Sequence, residues 1–532
     1  MIAPNPAGRD QPAWVAPLQD ALLEALPRLY GAPCPPALAS LIADLVKALE
    51  RGRLSVPLPR ELAGGLLADS ALCREPDGPL VIEAGQVSWR RWHQLRRGVL
   101  TALLERARSS PAVEASTVSP AESGTPLEGL VAQAPDRRQS QAVAAVLEHR
   151  LVLLQGGPGT GKTSTVGRMI EALLAREPAT RVQLAAPTGK AAARLRSATG
   201  SRHPCGTLHR LLESRGDHFG RDRRHPLALD LLVVDEVSMV DLGLMAALLE
   251  ALPATARLVL VGDPAQLPPI APGAVLLDLQ QAELQAGLGA AAITLTTTYR
   301  NDGAIASVAA SLRSGLEAGD SEAASDPLER IRPLLERLQP QDNLAWRRSS
   351  PGRLPPSVLK QLGEHLGSLA DLAADCRPAR PDDWRRLLEQ RDRLLVLSPL
   401  RRGPWGVQTI HREILGDRAA APVSAWPEGL PVLCGRNLPE LGLANGDVGI
   451  LVGAPGREER LILFGAEGPL WVHPAQLAGA AEPALALTVH KAQGSEAARV
   501  IVLLAGDPPP DARLLYTALT RAREGAELIT SQ

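Results

Sequence analysis

The chain has 532 residues, room for about three or four domains with their own cores, and 57 basic residues against 58 acidic ones leave a net charge of −1. That balance excludes a protein that grips nucleic acid through a uniformly basic surface, and an aromatic content of 2% confines base stacking to a few positions. No apolar run reaches membrane-spanning length and no signal-peptide pattern is seen; five widely spaced cysteines (Cys34, Cys73, Cys205, Cys376, Cys434) without a C-x-x-C pair fit reduced thiols in a cytoplasmic protein.

Residues 1–108 read as a helical N-terminal domain. Apolar residues recur at helical spacing at Leu18, Leu22 and Leu26, and again at Leu38, Ile42, Leu45 and Leu49. A later helical stretch, Trp89 to Leu104, carries Arg90, Arg91, Arg96 and Arg97, which read as a solvated helix face. Segment 109–134 opens on a run rich in Ser, Pro, Ala and Glu and is expected to be a flexible linker.

From 135 the texture changes. Strand-length apolar runs at 151–155, 182–186, 230–234 and 257–261 alternate with helical stretches, the pattern of a parallel sheet with crossover helices. This is the expected first lobe, 135–290, with a small insertion near 213–228. A second set of runs, beginning at 394–398 and ending at 499–504, marks a second lobe over 291–404 and 479–532. Residues 301–392 within it are helical and rich in Arg and Pro, with no clear place. Between these runs, short strands broken by Gly, Pro and Asn445-Gly446 predict a small β-barrel subdomain inserted at 405–478.

The string Gly156-Gly157-Pro158-Gly159-Thr160-Gly161-Lys162-Thr163 fits G-x-x-x-x-G-K-[ST] and lies between a predicted strand and a predicted helix, as a phosphate-binding loop must. Its backbone N–H groups and the helix N-terminus would face the phosphates of ATP. Lys162 would bridge the β- and γ-phosphates, and the Thr163 hydroxyl would hold Mg²⁺. The apolar run 231–234 ends in Asp235, a second Mg²⁺ ligand at a strand's carboxyl end, and Glu236, placed to deprotonate the attacking water. Gln266, in the turn after run 257–261, could contact the γ-phosphate. Arg300 and Arg521 each follow a short structured run and are candidates for the cationic help that phosphoryl transfer needs from a facing lobe.

Only five of the 57 basic residues are lysine, yet Lys162, Lys190 and Lys491 all fall in motif-like strings. A compact ammonium among phosphate oxygens is a place where arginine does not substitute. The polar string 488–496 (TVHKAQGSE), with Thr488, His490 and Lys491, suits sugar–phosphate contacts without base reading. Thr188, Lys190 and His209 offer the same chemistry from the first lobe.

In order and spacing these strings resemble superfamily 1 helicases of the 5′→3′ branch, and within it the RecD family, the alpha subunits of the RecBCD recombination enzyme (exonuclease V). The resemblance covers about 130–300 and 394–532, and the string 52–59 (GRLSVPLP) extends it into the N-terminal region. It implies an α/β fold of two RecA-like lobes with parallel sheets, an SH3-like insertion in the second lobe whose start matches 442–450, and a helical N-terminal domain that docks on a partner. It implies that Gln139 reads adenine, that Gly156 to Thr163 hold the nucleotide, and that Asp235 and Glu236 handle Mg²⁺ and water. Gln266 matches the sensor, Arg300 and Arg521 the arginine fingers, and Thr188, His209, Thr488 and His490 lie in strings that line the DNA path. The partners implied are single-stranded DNA, duplex ends, and RecB- and RecC-like subunits, one of which would supply any nuclease activity. This sequence departs from the family at Ala492, where serine is usual, and at Ala497, where an aromatic is usual. A stand-alone 5′→3′ helicase and a non-motile ATP-binding subunit remain the alternatives.

Overall fold

The computed structural model describes residues 15–30, 35–63, 67–74, 76–110, 136–216, 218–298, 303–317, 326–454, 460–465, 469–506 and 510–531. Two parallel sheets organise it. The first has six strands in the order Ala292–Leu295, Leu151–Gly156, Arg257–Gly262, Leu231–Val234, Val182–Ala186 and Cys205–Thr207, every pair parallel. Its central strands are buried on both faces, which is why they read as unbroken apolar runs rather than alternating ones. Helices Arg137–Glu148 and Lys162–Arg176 cover one face in a core that includes Val146, Leu154, Val166 and Ile170.

On the other face, helix Leu242–Ala251 packs with helix Arg90–Arg108 in a core containing Val99, Leu103, Met245 and Leu248. Two expectations change here. Strand Ala292–Leu295 is the edge of the first sheet, so that lobe runs past residue 290. Helix Arg90–Arg108 belongs to the first lobe's core, and of the four arginines read as a solvated face Arg91 and Arg97 are exposed while Arg90 and Arg96 are engaged. Arg96 donates twice to the Asp278 carboxylate, at 2.8 and 3.0 Å. Arg106 donates to the carbonyls of Leu252, Pro253 and Ala256, and Arg90 to those of Cys73, Gly78 and Leu80.

Before it, helices Val15–Tyr30 and Pro36–Glu50 share a core with a three-stranded antiparallel sheet ordered Ser55–Pro57, Gln86–Trp89, Leu80–Glu83. The region expected to be wholly helical is therefore mixed. Strands of three or four residues are too short to show alternation in sequence.

The second sheet is also all parallel, in the order Leu344–Ser349, Ala522–Ser531, Ala497–Leu504, Leu394–Ser398, Leu487–Thr488. The segment 301–392 now has a place. Helices Ala304–Glu317 and Pro327–Leu335 pack Val308, Leu312 and Ile331 into this lobe's core, and Leu344–Ser349 forms the sheet's edge. Helices Pro356–Asp375 and Pro381–Arg391 cover the insert, with Leu369, Ala373 and Leu387 meeting Ile450 and Leu463. The insert itself is a five-stranded antiparallel sheet ordered Leu470–Val472, Leu461–Phe464, Val448–Val452, Pro431–Cys434, Ala481–Pro483. Among the described residues its two edge strands do not pair with each other. The expected start at 405 shifts as well: helix Val407–Leu415 places Ile410 with Val396 and Ile501 in the second lobe's core.

Segment 213–228 carries a hairpin, Ser214–Arg215 against His218–Phe219. Among the described residues no helix is long and apolar enough to cross a membrane.

Candidate functional site between the two lobes

The phosphate-loop string turns out of strand Leu151–Gly156 into helix Lys162–Arg176. Gly159 and Gly161 sit at φ 75° and 80°, which a side chain would strain. The Thr160 hydroxyl donates to the Gly157 carbonyl at 2.8 Å, and the Lys162 ammonium donates to the carbonyls of Gly156 and Gly157 at 2.7 and 2.9 Å. The lysine thus lies across the loop whose N–H groups would meet phosphate. Thr163 is half-buried in the first turn of the helix.

Asp235 follows strand Leu231–Val234, and its Oδ1 accepts the Glu236 N–H at 2.8 Å. Glu236 takes φ 54°, the left-handed region, at a cost of order 1 kcal/mol for a side chain other than glycine. Burial, and then the like charge of Glu236, push the Asp235 carboxyl above its usual range, against the pull of Lys162. Asp235 and Glu236 crowd two carboxylates at one strand end, hard oxygen donors of the kind that fits Mg²⁺. Gln139 is buried, and its Oε1 accepts from Arg168 of the phosphate-loop helix at 2.8 Å.

The second lobe closes over this site. Arg521, buried at 3% exposure, donates from Nη2 to Gln266 Oε1 at 2.6 Å, so the expected finger and sensor touch across the cleft. The turn that carries Gln266 is gripped on three further points. The Leu267 N–H donates to the Thr517 hydroxyl at 2.9 Å, Gln493 Nε2 donates to the Leu267 carbonyl at 3.0 Å, and Arg513 donates to the Pro264 carbonyl. Ala265 and Leu267 complete the second lobe's apolar core. Asp263, fully buried, accepts from Arg313 at 2.7 Å and from the Tyr516 hydroxyl at 2.7 Å. Sequence reasoning missed Arg313 and gave Asp263 and Tyr516 no role. An arginine outside any string, among so many, carries no local signal. The scarcity of tyrosine was the one hint, since Tyr516 is one of three. Arg300 lies outside the described residues.

The residues expected along the DNA path divide. His209, on the short helix Leu208–Leu211, is exposed beside Phe219. Thr488 and His490 are half-buried, and the Thr488 hydroxyl accepts the Lys491 N–H at 3.3 Å. Lys491 pairs with Glu482 of the insert at 3.2 Å, and Arg401 pairs with the same carboxylate. Thr188 caps helix Gly189–Ala198 by accepting the Ala191 N–H. A Cβ added to Gly494, at φ 75°, would stand 2.9 Å from the Thr188 hydroxyl, so glycine is what lets the lobes approach there. Lys190 differs from expectation: its ammonium donates to the Ser495 hydroxyl of the second lobe at 3.0 Å. Burial, and then Arg391, push its pKa down to about 8. It is a joint between lobes rather than an open contact for DNA. Ala492 and Ala497 are both buried in the second lobe's core, so the two departures from the family alter packing rather than an exposed surface.

Comparison with known proteins agrees with this geometry. An AAA domain model matches residues 139–272, and a UvrD-like helicase C-terminal domain model matches 483–529. The RecBCD enzyme subunit RecD of Mycolicibacterium smegmatis is 36% identical over 426 residues, covering 74% of this chain and 71% of that protein. The subunit of the same name from Mycobacterium tuberculosis is 35% identical over 424 residues, covering 74% and 69%. The ATP-dependent RecD2 DNA helicase of Deinococcus radiodurans is 34% identical over 403 residues, 72% of this chain and 48% of that protein. Two parallel-sheet lobes joined at Gln266 and Arg521, and a RecD subunit 36% identical and matched over 71% of its length, place this chain in the RecD family of DNA helicases.

Proposed function

We propose that this chain is the 5′→3′ motor subunit of a RecBCD-type helicase–nuclease, moving along single-stranded DNA in double-strand break repair. It is an ATP-dependent DNA helicase, and the observation that carries the reading is the Gln266–Arg521 hydrogen bond across the lobes. ATP binds on the loop at Lys162, with Gln139 against the adenine. Thr163 and Asp235 would hold Mg²⁺, which would supply positive charge against the phosphates. Glu236 takes a proton from the attacking water, and Arg521, joined by Arg300, stabilises charge building on the γ-phosphate. Loss of that phosphate removes the anion that the Gln266–Arg521 pair faces, and the lobes loosen. Thr188, His209, Thr488 and His490 then release and regrip the sugar–phosphate backbone, which needs no base reading. RecB- and RecC-like partners, duplex ends as the entry point, an SH3-like role for the insert and a place at the nucleoid belong to the same proposal.

The test uses the purified chain and duplexes with a 5′ or a 3′ single-stranded overhang. ATP hydrolysis stimulated by single-stranded DNA, abolished by Lys162→Gln, with unwinding only from the 5′ overhang, is the expected result. Unwinding from the 3′ overhang would overturn the polarity. Hydrolysis untouched by DNA would leave a non-motile subunit. Full processive activity without partner subunits would favour a stand-alone helicase.

A further inference from the structure

The geometry points to Arg313 as a positioning residue that ties the phosphate loop to both the sensor turn and the arginine finger, an inference that rests on the cleft being an ATPase site. Arg313 lies near the end of helix Ala304–Glu317 in the second lobe, outside every string that the function uses. Its Nη2 donates to Asp263 Oδ1 and to the Tyr516 hydroxyl oxygen, each at 2.7 Å, and its guanidinium stacks 5.5 Å from the Tyr516 ring centroid. The Tyr516 hydroxyl donates on to Asp263 Oδ2 at 2.7 Å, closing a three-membered network.

Each partner sits at the root of a residue of the ATP site. Asp263 directly follows strand Arg257–Gly262, at the start of the turn that carries Gln266. Tyr516 is on helix Ala512–Leu519, just ahead of Arg521. The network also touches the phosphate loop. A Cβ added to Gly157 would stand 3.0 Å from Arg313 Nη2 and 3.3 Å from the Tyr516 hydroxyl. One guanidinium therefore borders the backbone that wraps the phosphates while holding the bases of sensor and finger. A shift of Gly157 toward the second lobe as phosphates bind or leave would press on Arg313, because there is no room for even a methyl group between them.

The plainer reading is that Arg313 only neutralises Asp263, a fully buried carboxylate that would be costly without a cation. The two readings part on lysine. An ammonium can pair with Asp263, but it lacks the planar face that stacks on Tyr516 and borders Gly157.

The experiment uses the full chain, a saturating single-stranded oligonucleotide, and a non-hydrolysed ATP analogue bound without DNA. Arg313→Ala is expected to lower the DNA-stimulated kcat by about tenfold or more, with analogue affinity changed by less than about threefold. Arg313→Lys is expected to restore the melting temperature and leave kcat low. Gly157→Ala should slow the wild-type background more than the Arg313→Ala background, because its methyl group meets the guanidinium only where Arg313 is present. Should Arg313→Ala fail to fold, Arg313→Lys alone and combined with Gly157→Ala gives the same two readouts. Recovery of both stability and kcat by Arg313→Lys, or losses from Gly157 and Arg313 changes that simply multiply, would overturn the proposal. A wild-type chain without ATP hydrolysis would instead overturn the ATPase reading.

Discussion

Arg194 of the first lobe donates a hydrogen bond to Glu496 of the second at 2.7 Å, on the helix that begins at Gly189 beside Thr188 and Lys190. It runs parallel to the Lys190–Ser495 contact, so one helix reaches across the cleft twice. Arg194 remains 45% exposed, which limits what the pair can contribute. A double-mutant cycle on DNA-stimulated kcat/KM, using Arg194→Ala and Glu496→Ala, should give a coupling of about 0.5–1 kcal/mol. Additive losses would show that the pair plays no part in closure.

Arg521→Ala should reduce kcat by on the order of 10³-fold, the usual effect of removing an arginine that faces the transferred phosphate. Single-turnover hydrolysis checks it, with fluorescent-nucleotide binding as the control. Asp235→Asn should behave alike in turnover but respond weakly to added Mg²⁺, and chelation with EDTA should silence the wild type.

Glu482 holds Lys491 and Arg401, two cations beside the expected DNA path. Glu482→Gln should release both and tighten single-stranded DNA binding. The slope of log K against log salt should steepen by about 0.7 for each phosphate newly contacted. Titrations at several salt concentrations decide it; an unchanged slope would mean that neither cation meets the backbone.

His411 is buried, and its Nε2 lies 3.2 Å from the Ala486 carbonyl and 3.3 Å from the Ala486 N–H. Burial holds its pKa down at about 4. The folded state therefore binds fewer protons than the unfolded one between about pH 6.5 and 4. Stability from this site is full above that window and is lost as pH falls through it. Substituting His411→Leu should flatten the loss of unfolding free energy across the window, by an amount on the order of 3 kcal/mol. Equal acid sensitivity in variant and wild type would count against it.

Arg96→Ala removes a bidentate contact to Asp278 that is only partly exposed. It should lower stability by about 1–2 kcal/mol in denaturant titration, charged hydrogen bonds being stronger than neutral ones. Arg97→Ala on the same helix is the control expected to show little change.

What could be read in advance follows from locality. The proposed phosphate loop is eight consecutive residues whose backbone would do the binding, so strand, loop and helix are visible together in the string. The strand Leu231–Val234 with Asp235 is legible for the same reason, since full burial writes itself as an unbroken apolar run. Arg313 is the opposite case. Its partners Asp263 and Tyr516 are distant in sequence and meet it only once both lobes have folded. Lys190 misled in a related way: its string marked it as special, but the Ser495 hydroxyl that receives it lies in the other lobe. The N-terminal sheet escaped because its strands span barely one full alternation, and helix Arg90–Arg108 gave the right element with the wrong home.

That helix has a mechanical consequence. Because Arg96 and Arg106 fasten it to the first lobe, anything that clasps the N-terminal region anchors the first lobe with it. A tethered motor of this build would hold its ATP loop stationary and deliver each stroke through the second lobe and the insert. Load applied to the N-terminus would then be felt at the cleft as a pull on one jaw alone.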